Sequence, residues 1–459
     1  LSGSGATFPV VYLLHGYGDT PEAWGPGHFD IPNVDAQART AGQTGPVIYV
    51  IPQGWNSYYV NRYDGGFNYM DMLVDELVPM IDRMLPTRPS ARYRAVAGYS
   101  MGGFGALAMA GKNASVFGTC ISLSPSMNTD AQYRTLGGWD SQWGDIFGGR
   151  GTTGDARLTP HYLSLCPLHF FADNLPSAFA SQKWYVDCGD DEERLYAGSG
   201  ELHCLLRDKG IDHEFRVRNG AHTTSYWREG LREGLAVFKA ACDGASYPEI
   251  TPVNPAGGAT PEFINVSDTP CQISLFKGNG LKSNSNTHIV YVEIGESVPA
   301  PDAAGVASLL AQSLQIKNAA VAVVNSADAA AVGADAVFSA VEGVLGVSVA
   351  DANRHLMGLG DNLRIVGPLA VSRRPFAGVY LYDSNLAAAS GDTFGATQYV
   401  LDISDMGANH RAMFNLFCAL RDADAKVEYR VRNGIVSSDC TSHGISALGQ
   451  FIFNTLPIR

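Results

Sequence analysis

Ser100 lies in Ala97-Gly-Tyr-Ser-Met-Gly-Gly103, between an apolar run that starts at Tyr93 and a run of small residues that continues to Ala110. A serine with glycine two positions before and two after, where a strand meets a helix, is the pattern of a nucleophile elbow. The sharp turn lifts the hydroxyl above the sheet, and only glycine leaves room for that backbone. The helix that follows points its first N–H groups at the same spot, where negative charge develops during acyl transfer. In a chain with 51 glycines the bare spacing is weak. The strand and helix around it carry the reading.

A nucleophilic serine needs a base, the base needs an orienting acid, and the developing oxyanion needs N–H donors. In an open parallel sheet these groups gather at the carboxyl ends of strands. That rule sorts the histidines: His213 precedes the apolar run Glu214-Phe-Arg-Val217, His203 falls within a helix, and His222 follows the run. Acids follow Lys183-Trp-Tyr-Val-Asp-Cys188 in Gly189-Asp-Asp-Glu-Glu193, so the order is serine, acid, histidine. For the oxyanion, one donor is the N–H of Met101. The other is that of Tyr17, in the loop His15-Gly-Tyr-Gly-Asp19 after the strand Phe8 to Leu14.

The elements that hold these groups alternate. Strands are expected at Val47–Ile51, Phe117–Leu123, 183–188 and 214–217, with helices at Met70–Met84 and about Gly198–Lys209. This predicts a three-layer α/β domain with a mostly parallel sheet. The crossover helix 70–84 carries Leu73, Leu77, Met80, Ile81 and Met84 at helical spacing. Pro52 to Asn61 reads as a loop lining a cleft, with Trp55, Asn56 and Tyr58 as substrate-binding candidates. Asn128 to Leu165 reads as a cap whose Trp139 and Trp143 face the cleft; the same tryptophans could equally fill a core beneath a long loop.

At 459 residues and 46% hydrophobic composition there is material for two domains, and a net charge of -13 argues against nucleic acid or an anionic membrane surface as partner. No run of eighteen apolar residues occurs, and Leu1-Ser-Gly-Ser-Gly reads as a trimmed end. The eight cysteines show no C-x-x-C pair, and no metal or cofactor is expected. Cys120, Cys188, Cys204 and Cys418 read as core thiols, while Cys166, Cys242, Cys271 and Cys440 could pair if the protein is exported.

Val10-Val-Tyr-Leu-Leu-His-Gly-Tyr-Gly-Asp19, Gly98-Tyr-Ser-Met-Gly-Gly103, Asp187-Cys-Gly-Asp-Asp191 and Gly220-Ala-His-Thr-Thr-Ser-Tyr-Trp227 together resemble the esterase D-type esterases. That family includes feruloyl and acetylxylan esterases of carbohydrate esterase family one, S-formylglutathione hydrolases and, more distantly, mycolyltransferases. The resemblance implies an α/β-hydrolase fold with Ser100 as nucleophile, His222 as general base and acid, and Tyr17 and Met101 as oxyanion donors. The family carries its catalytic carboxylate three residues after the strand-end glycine. Here that residue is Glu192 instead of aspartate, so Glu192 is the first candidate and Asp191 the second. Asp190 and Glu193 read as solvated charges.

The second half repeats the first. Glu428-Tyr-Arg-Val-Arg-Asn-Gly434 repeats Glu214-Phe-Arg-Val-Arg-Asn-Gly220, Cys418-Ala-Leu-Arg-Asp422 repeats Cys204-Leu-Leu-Arg-Asp208, Phe376–Leu381 matches Phe117–Ser122, and Ile289–Gly295 matches Val10–Gly16. In this copy Val436 stands for His222, Ile294 for His15, and Met357-Gly-Leu-Gly-Asp-Asn362 for the elbow, without serine. Its Asp302 to Ala340 reads as alanine- and valine-rich helix, and Asp361, Asp383 and Asp405 as the only acids near the former cleft. About 25 residues precede its first matched strand, which suggests that the first copy lacks a strand pair. The expected fold is therefore two α/β-hydrolase-like three-layer sandwich domains in tandem, the second degenerate: a catalytic domain over 1–245, a linker over 246–261, and a pseudo-esterase domain over 262–459 packed against the first.

The expected activity is a serine carboxylic ester hydrolase that releases feruloyl or acetyl groups from plant cell-wall polysaccharide, outside the cytoplasm. Its partner is the ester-bearing small molecule or polysaccharide substrate. S-formylglutathione hydrolysis or acyl transfer on the same fold is one alternative, and a non-catalytic carbohydrate-binding protein is the other.

Overall fold

Val10-Val-Tyr-Leu-Leu14 is buried along its whole length in the computed structural model and forms β1, as a continuous apolar run does in a sheet covered on both faces. The structure describes residues 5–192, 194–245, 247, 260–266, 268–298, 310, 317–389, 392–396, 398–404 and 407–432. The chain divides into two units, Leu1–Glu249 and Ile250–Arg459. Of the expected linker only Tyr247, Thr260 and Pro261 are among the described residues.

In the first unit β1 is joined by β2 (Ile48–Val50), β3 (Arg94–Tyr99), β4 (Thr119–Leu123), β5 (Lys183–Asp187) and β6 (Glu214–Arg216). They form one sheet in the order β2-β1-β3-β4-β5-β6, with every pairing parallel. Side chains alternate across it. Val11 and Leu13 enter a core with Trp24, Phe29, Val34 of α1 (Ile31–Thr40), and Trp227, Leu231 and Leu235 of the long C-terminal helix Thr224–Asp243. Tyr12 points the other way, its ring edge-on to Phe117 at 5.8 Å.

The helix α2 (Met101–Lys112) follows Ser100 and is buried from Met101 to Ala110. Its small residues let it lie almost on the strands. A Cβ at Gly98 would stand 2.3 Å from the Gly102 carbonyl oxygen, and one at Gly102 2.1 Å from that of Leu14. Neither position admits any other residue.

The crossover segment 69–84 is helical but not a uniform α-helix: Met72–Leu77 is π-helical, with the Val78 N–H bonding the Leu73 carbonyl. The extra residue in that turn rotates the apolar face, so Met80 and Met84 are exposed where regular spacing would bury them. The seven described cysteines are all free thiols, so Cys166, Cys242 and Cys271 are not bridged, and Cys440 lies outside the described residues. Burial pushes the Cys166 and Cys242 thiols up to about 11, which keeps them protonated and unreactive at neutral pH. No described helix is long and apolar enough to cross a membrane.

The second unit contains β7 (Glu262–Asn265), β8 (Gln272–Lys277), β9 (His288–Ile294), β10 (Ala319–Asn325), β11 (Arg354–Leu359), β12 (Gly378–Tyr382), β13 (Tyr399–Ser404) and β14 (Val427–Arg432). Their order is β14-β13-β12-β11-β9-β10-β8-β7, and only the β10-β8 and β8-β7 pairings are antiparallel. The six parallel strands thus run in the same relative order as β6-β5-β4-β3-β1-β2. The Ala-Ala-Val-Ala-Val-Val-Asn325 run, expected as helix, is β10. It has a strand on each side, and its valines pack between neighbours in the pleat.

Buried contacts recur at matching places. The Ser100 N–H bonds the Leu123 carbonyl at 2.9 Å and the Gly360 N–H bonds that of Tyr382 at 2.9 Å. Ser124 (φ 44°) and Asp383 (φ 40°) both leave the fourth parallel strand in the left-handed region. The ion pair Asp187–Arg218 at 2.7 Å is matched by Asp402–Arg432 at 2.7 Å. Val436 and Asp405 lie outside the described residues.

His355 on β11 is buried with Nε2 3.2 Å from Nδ1 of His288 on β9, and Nδ1 3.4 Å from the Tyr380 hydroxyl. Burial, helped by the neighbouring His288, lowers its pKa from 6.5 to about 3. Between those two values the unfolded chain binds a proton that the native fold does not, so stability is full above pH 6.5 and falls on acidification. The limiting slope is about 1.4 kcal/mol per pH unit. Thermal unfolding at pH 7 and pH 5 checks this: acidification should lower the melting temperature of the wild type, and less so that of His355→Phe. An equal loss in both would remove His355 as the cause.

Candidate active site

Ser100 closes β3 with φ 56° and ψ -118°, a conformation that an L-residue occupies only under constraint. Its carbonyl accepts from the Ser126 and Phe104 N–H groups at 2.8 and 3.1 Å, and its own N–H is spent on Leu123. The turn is thus held on three sides. Met101 begins α2, where the first N–H groups have no intrahelical acceptor. Among the described residues neither the Met101 nor the Tyr17 N–H has a partner.

The loop carrying Tyr17 is fixed from below by His15. That buried ring places Nδ1 2.9 Å from the Gly16 carbonyl, and Nε2 2.7 Å from Gln53 Oε1 and 2.9 Å from the Gly54 nitrogen. From the side, Asn56 Oδ1 accepts the Gly18 N–H at 2.8 Å, and the Tyr99 hydroxyl donates to Asp19 at 2.8 Å. The Tyr17 side chain is partly exposed and its hydroxyl donates to the Ser141 carbonyl at 3.0 Å.

His222 stands after β6 and Glu192 after β5, and the two meet: Nδ1 lies 2.5 Å from Glu192 Oε2. The Glu192 side chain is wholly buried, while the imidazole is 38% exposed. A carboxylate can only accept, so the proton sits on Nδ1 and Nε2 is the basic nitrogen. The other carboxylate oxygen accepts the hydroxyl of Ser124 and, at 3.4 Å, the Gly189 N–H. Ser124 in turn accepts the Trp227 indole N–H at 2.8 Å. Trp227 also presents its ring at 89° and 4.7 Å to His222 and stacks on Tyr99 at 4.6 Å. One chain of contacts therefore runs from indole to hydroxyl to carboxylate to imidazole.

Asp191 is exposed, and its N–H bonds the Gly220 carbonyl at 3.0 Å. Asp190 is not a solvated charge: it is buried, and Oδ1 accepts the Gly220 N–H at 3.2 Å, fastening the acid loop to the histidine loop. Glu193 lies outside the described residues. Beneath both loops Asp187 pairs with Arg218, and burial outweighs that cation to raise the Asp187 carboxyl to about 6.

The expected binding residues divide. Trp55 is 66% exposed with φ 44°, and Asn56 is exposed beside the Tyr17 loop. Tyr58 is fully buried, a correction: its ring packs on Phe104, Trp143 and Phe147, and its hydroxyl meets Ser126 Oγ at 3.1 Å and Gln142 Nε2 at 2.8 Å. Trp139 and Trp143 are likewise buried, in a cluster with Tyr133 and Tyr162, so they form the core of the segment 128–165, and Trp139 also borders a surface groove of that segment. With so many large rings in one short segment, burying them against one another removes more apolar surface from water than lining a cleft would. Ser124 and Trp227 were missed as site residues. The strand-end rule applied to β4 would have found Ser124, whereas the pairing of Trp227 with it has no local signature.

In the second unit the N–H groups that match those of Tyr17 and Met101 are both taken: that of Glu296 bonds the Asp361 carbonyl at 3.2 Å and that of Asp361 the Ser297 hydroxyl oxygen at 3.0 Å. Glu293, the strand residue equivalent to Leu14, is buried, and its carboxylate accepts the N–H groups of Arg364, Ile365 and Val366 at 2.5 to 3.1 Å. Asp361 and Asp383 both bond the Asn409 side chain or backbone. Glu293 is thus a buried acid absent from the expected set.

The chain was compared with known proteins. Esterase Rv1288 of Mycobacterium tuberculosis is 29% identical over 238 residues, which is 48% of this chain and 49% of that protein. An endo-1,4-beta-xylanase/feruloyl esterase of Xylanibacter ruminicola is 32% identical over 109 residues, 22% of this chain and 14% of that one. Among solved structures a ferulic acid esterase aligns with a TM-score of 0.44 and 24% identity, over 52% of this chain and 87% of its own. The chain spans about half the length of the M. tuberculosis relatives it matches. The sequence profile described as "Putative esterase" matches residues 2–238, and with the parallel sheet, the elbow and the strand-end loops in place, the chain belongs to that esterase family.

Proposed function

We propose that the first unit is a serine carboxylic ester hydrolase acting on feruloyl or acetyl esters of plant cell-wall polysaccharide. The observation that carries this reading is the Glu192–His222 contact at 2.5 Å, sealed from solvent on the acid side and open on the base side. In the proposed cycle the Ser100 hydroxyl attacks the ester carbonyl carbon while its proton passes to His222 Nε2. The resulting oxyanion accepts the N–H groups of Tyr17 and Met101. Collapse breaks the ester bond, and the leaving alcohol takes the proton from His222. Water then repeats the sequence on the acyl-serine, with Glu192 stabilising the imidazolium each time. The cell-wall substrate is supported by the bifunctional xylanase/feruloyl esterase among the relatives.

We further infer that the second unit is a degenerate copy of the first, serving as scaffold or carbohydrate surface in an exported protein. The repeated strand order and the repeated Asp–Arg pair support the common origin. The N–H groups of Glu296 and Asp361, which match those of Tyr17 and Met101 and are bonded within the unit, support the loss of chemistry.

Hydrolysis of methyl ferulate, acetylated xylan and S-formylglutathione separates the substrate classes. Ser100→Ala should reduce turnover on the preferred ester at least about a thousandfold without lowering the melting temperature. Retention of more than that would remove Ser100 as nucleophile.

Glu192→Gln should lower kcat on the order of 10⁴-fold, and Asp191→Asn only a few-fold. The reverse ranking would transfer the orienting role to Asp191. Ser124→Ala removes a hydrogen bond to the acid but no reacting group. It is expected to lower kcat about ten- to a hundredfold and to leave KM unchanged. A rise in KM with constant kcat would mean that Ser124 contacts substrate instead.

A further inference from the structure

A groove of about 460 Å³ opens in the segment 128–165, lined by Gly137, Gly138, Asp140, Ser141, Thr153 and Arg157 among others. Its volume falls within the range of about 300–1,000 Å³ typical of small-ligand sites. It does not contain Ser100 or His222, yet its wall is tied to both sides of the elbow. The Ser141 carbonyl accepts the Tyr17 hydroxyl at 3.0 Å. Next to it, Gln142 reaches Ser100 through Tyr58 and Ser126, whose N–H bonds the Ser100 carbonyl. Tyr17 thus sits in the loop that packs on the elbow and at the same time bonds the wall of this groove.

The chemistry of the lining selects the ligand. Asp140 Oδ1 is spent on the Gly151 N–H at 2.7 Å, but Oδ2 has no partner among the described residues, and neither has the exposed Thr153 hydroxyl. Gly137, Gly138 and Gly151 are exposed and let a ligand approach the backbone closely. Arg157 is not available for an anion: it donates to the carbonyls of Thr152, Tyr133 and Leu136 and lies 4.9 Å over the Trp139 ring. That contact also covers one face of Trp139, and Tyr133 stands edge-on to the same ring at 4.3 Å, so the groove offers little flat apolar surface to an acyl chain. What remains are the Asp140 carboxylate oxygen, the Thr153 hydroxyl and exposed glycine backbone, a lining that takes hydroxyl donors and disfavours an anion. This suits a ligand that is neutral and hydroxylated.

We propose that this groove is a subsite for the glycan chain flanking the scissile ester. The assignment rests on the esterase reading of the first unit, and it is tested so that the two can fail separately. Thr153→Trp fills the groove without touching the reacting groups. Asp140→Asn keeps the Oδ1 bond to Gly151 and turns the free acceptor into a donor. Activity is measured on methyl ferulate and on feruloylated xylo-oligosaccharide. Binding of unesterified xylohexaose is measured by tryptophan emission and calorimetry with Ser100→Ala, which needs no turnover.

The expected result for Thr153→Trp is a fall of about tenfold in kcat/KM on the oligosaccharide ester, carried by KM, with methyl ferulate changed less than about twofold. Xylohexaose binding should weaken in parallel, and Asp140→Asn should shift both in the same direction by less. Unchanged oligosaccharide kinetics in both variants, or equal losses on the two substrates in Asp140→Asn, would overturn the subsite and leave the esterase reading standing. If the wild type hydrolyses no ester, the esterase reading falls. The groove is then decided by binding alone: xylohexaose affinity lost in Thr153→Trp supports it, and absence of binding overturns it.

Discussion

A carboxylate with no exposed surface can persist only if its oxygens are satisfied, because an unpaired buried charge costs several kcal/mol. Glu192 is such a group, and much of the site follows from meeting its demand. One oxygen takes the imidazole, and the other takes the Ser124 hydroxyl and the Gly189 N–H. To deliver that hydroxyl, the chain leaves β4 in a left-handed conformation and anchors the Ser124 N–H on the Asp187 carbonyl at 2.6 Å. Trp227 then satisfies Ser124 and packs against both His222 and Tyr99. The base is aligned because its acid had to be solvated by the protein.

The parts legible in the sequence were those with a local cause. Continuous apolar runs become parallel strands, and Gly98 and Gly102 mark the elbow because neither place has room for a Cβ. The end-of-strand rule separated His222 from His203 and His213, which lie 2.8 Å apart away from the site. The parts that were not legible depend on partners distant in sequence. Tyr58, Trp139 and Trp143 have the composition of a binding surface, and only the folding of 128–165 over Tyr58 and Phe104 decides that they are buried. Periodicity misplaced Met80 and Met84 because a π-helical turn is invisible to a count at 3.6 residues. Alanine and valine at β10 suit either state in isolation. Pairing on both edges decides for strand.

The two units separate what the sheet needs from what the chemistry needs. The ion pair at the end of the fifth parallel strand, the left-handed residue after the fourth and the N–H that closes the elbow are present in both. These contacts hold strands and loops together and act whether or not a nucleophile is present. The N–H groups at the start of the elbow helix behave differently. In the first unit that of Met101 has no partner among the described residues. In the second, the N–H at the matching place, that of Asp361, bonds the Ser297 hydroxyl oxygen at 3.0 Å.

An open set of N–H donors is a cost to the folded state that only a bound ligand removes, since buried donors are otherwise paired. A site that must bind oxyanions in passing cannot remove that cost permanently without losing its use. Satisfying such donors from within the fold, as the Ser297 hydroxyl and the Asp361 carbonyl do in the second unit, favours stability and leaves no place for an outside anion, so the same backbone can satisfy one requirement or the other. The strand order and the buried ion pair are thus common to the two units, while the donors beside the turn are open in one and bonded in the other.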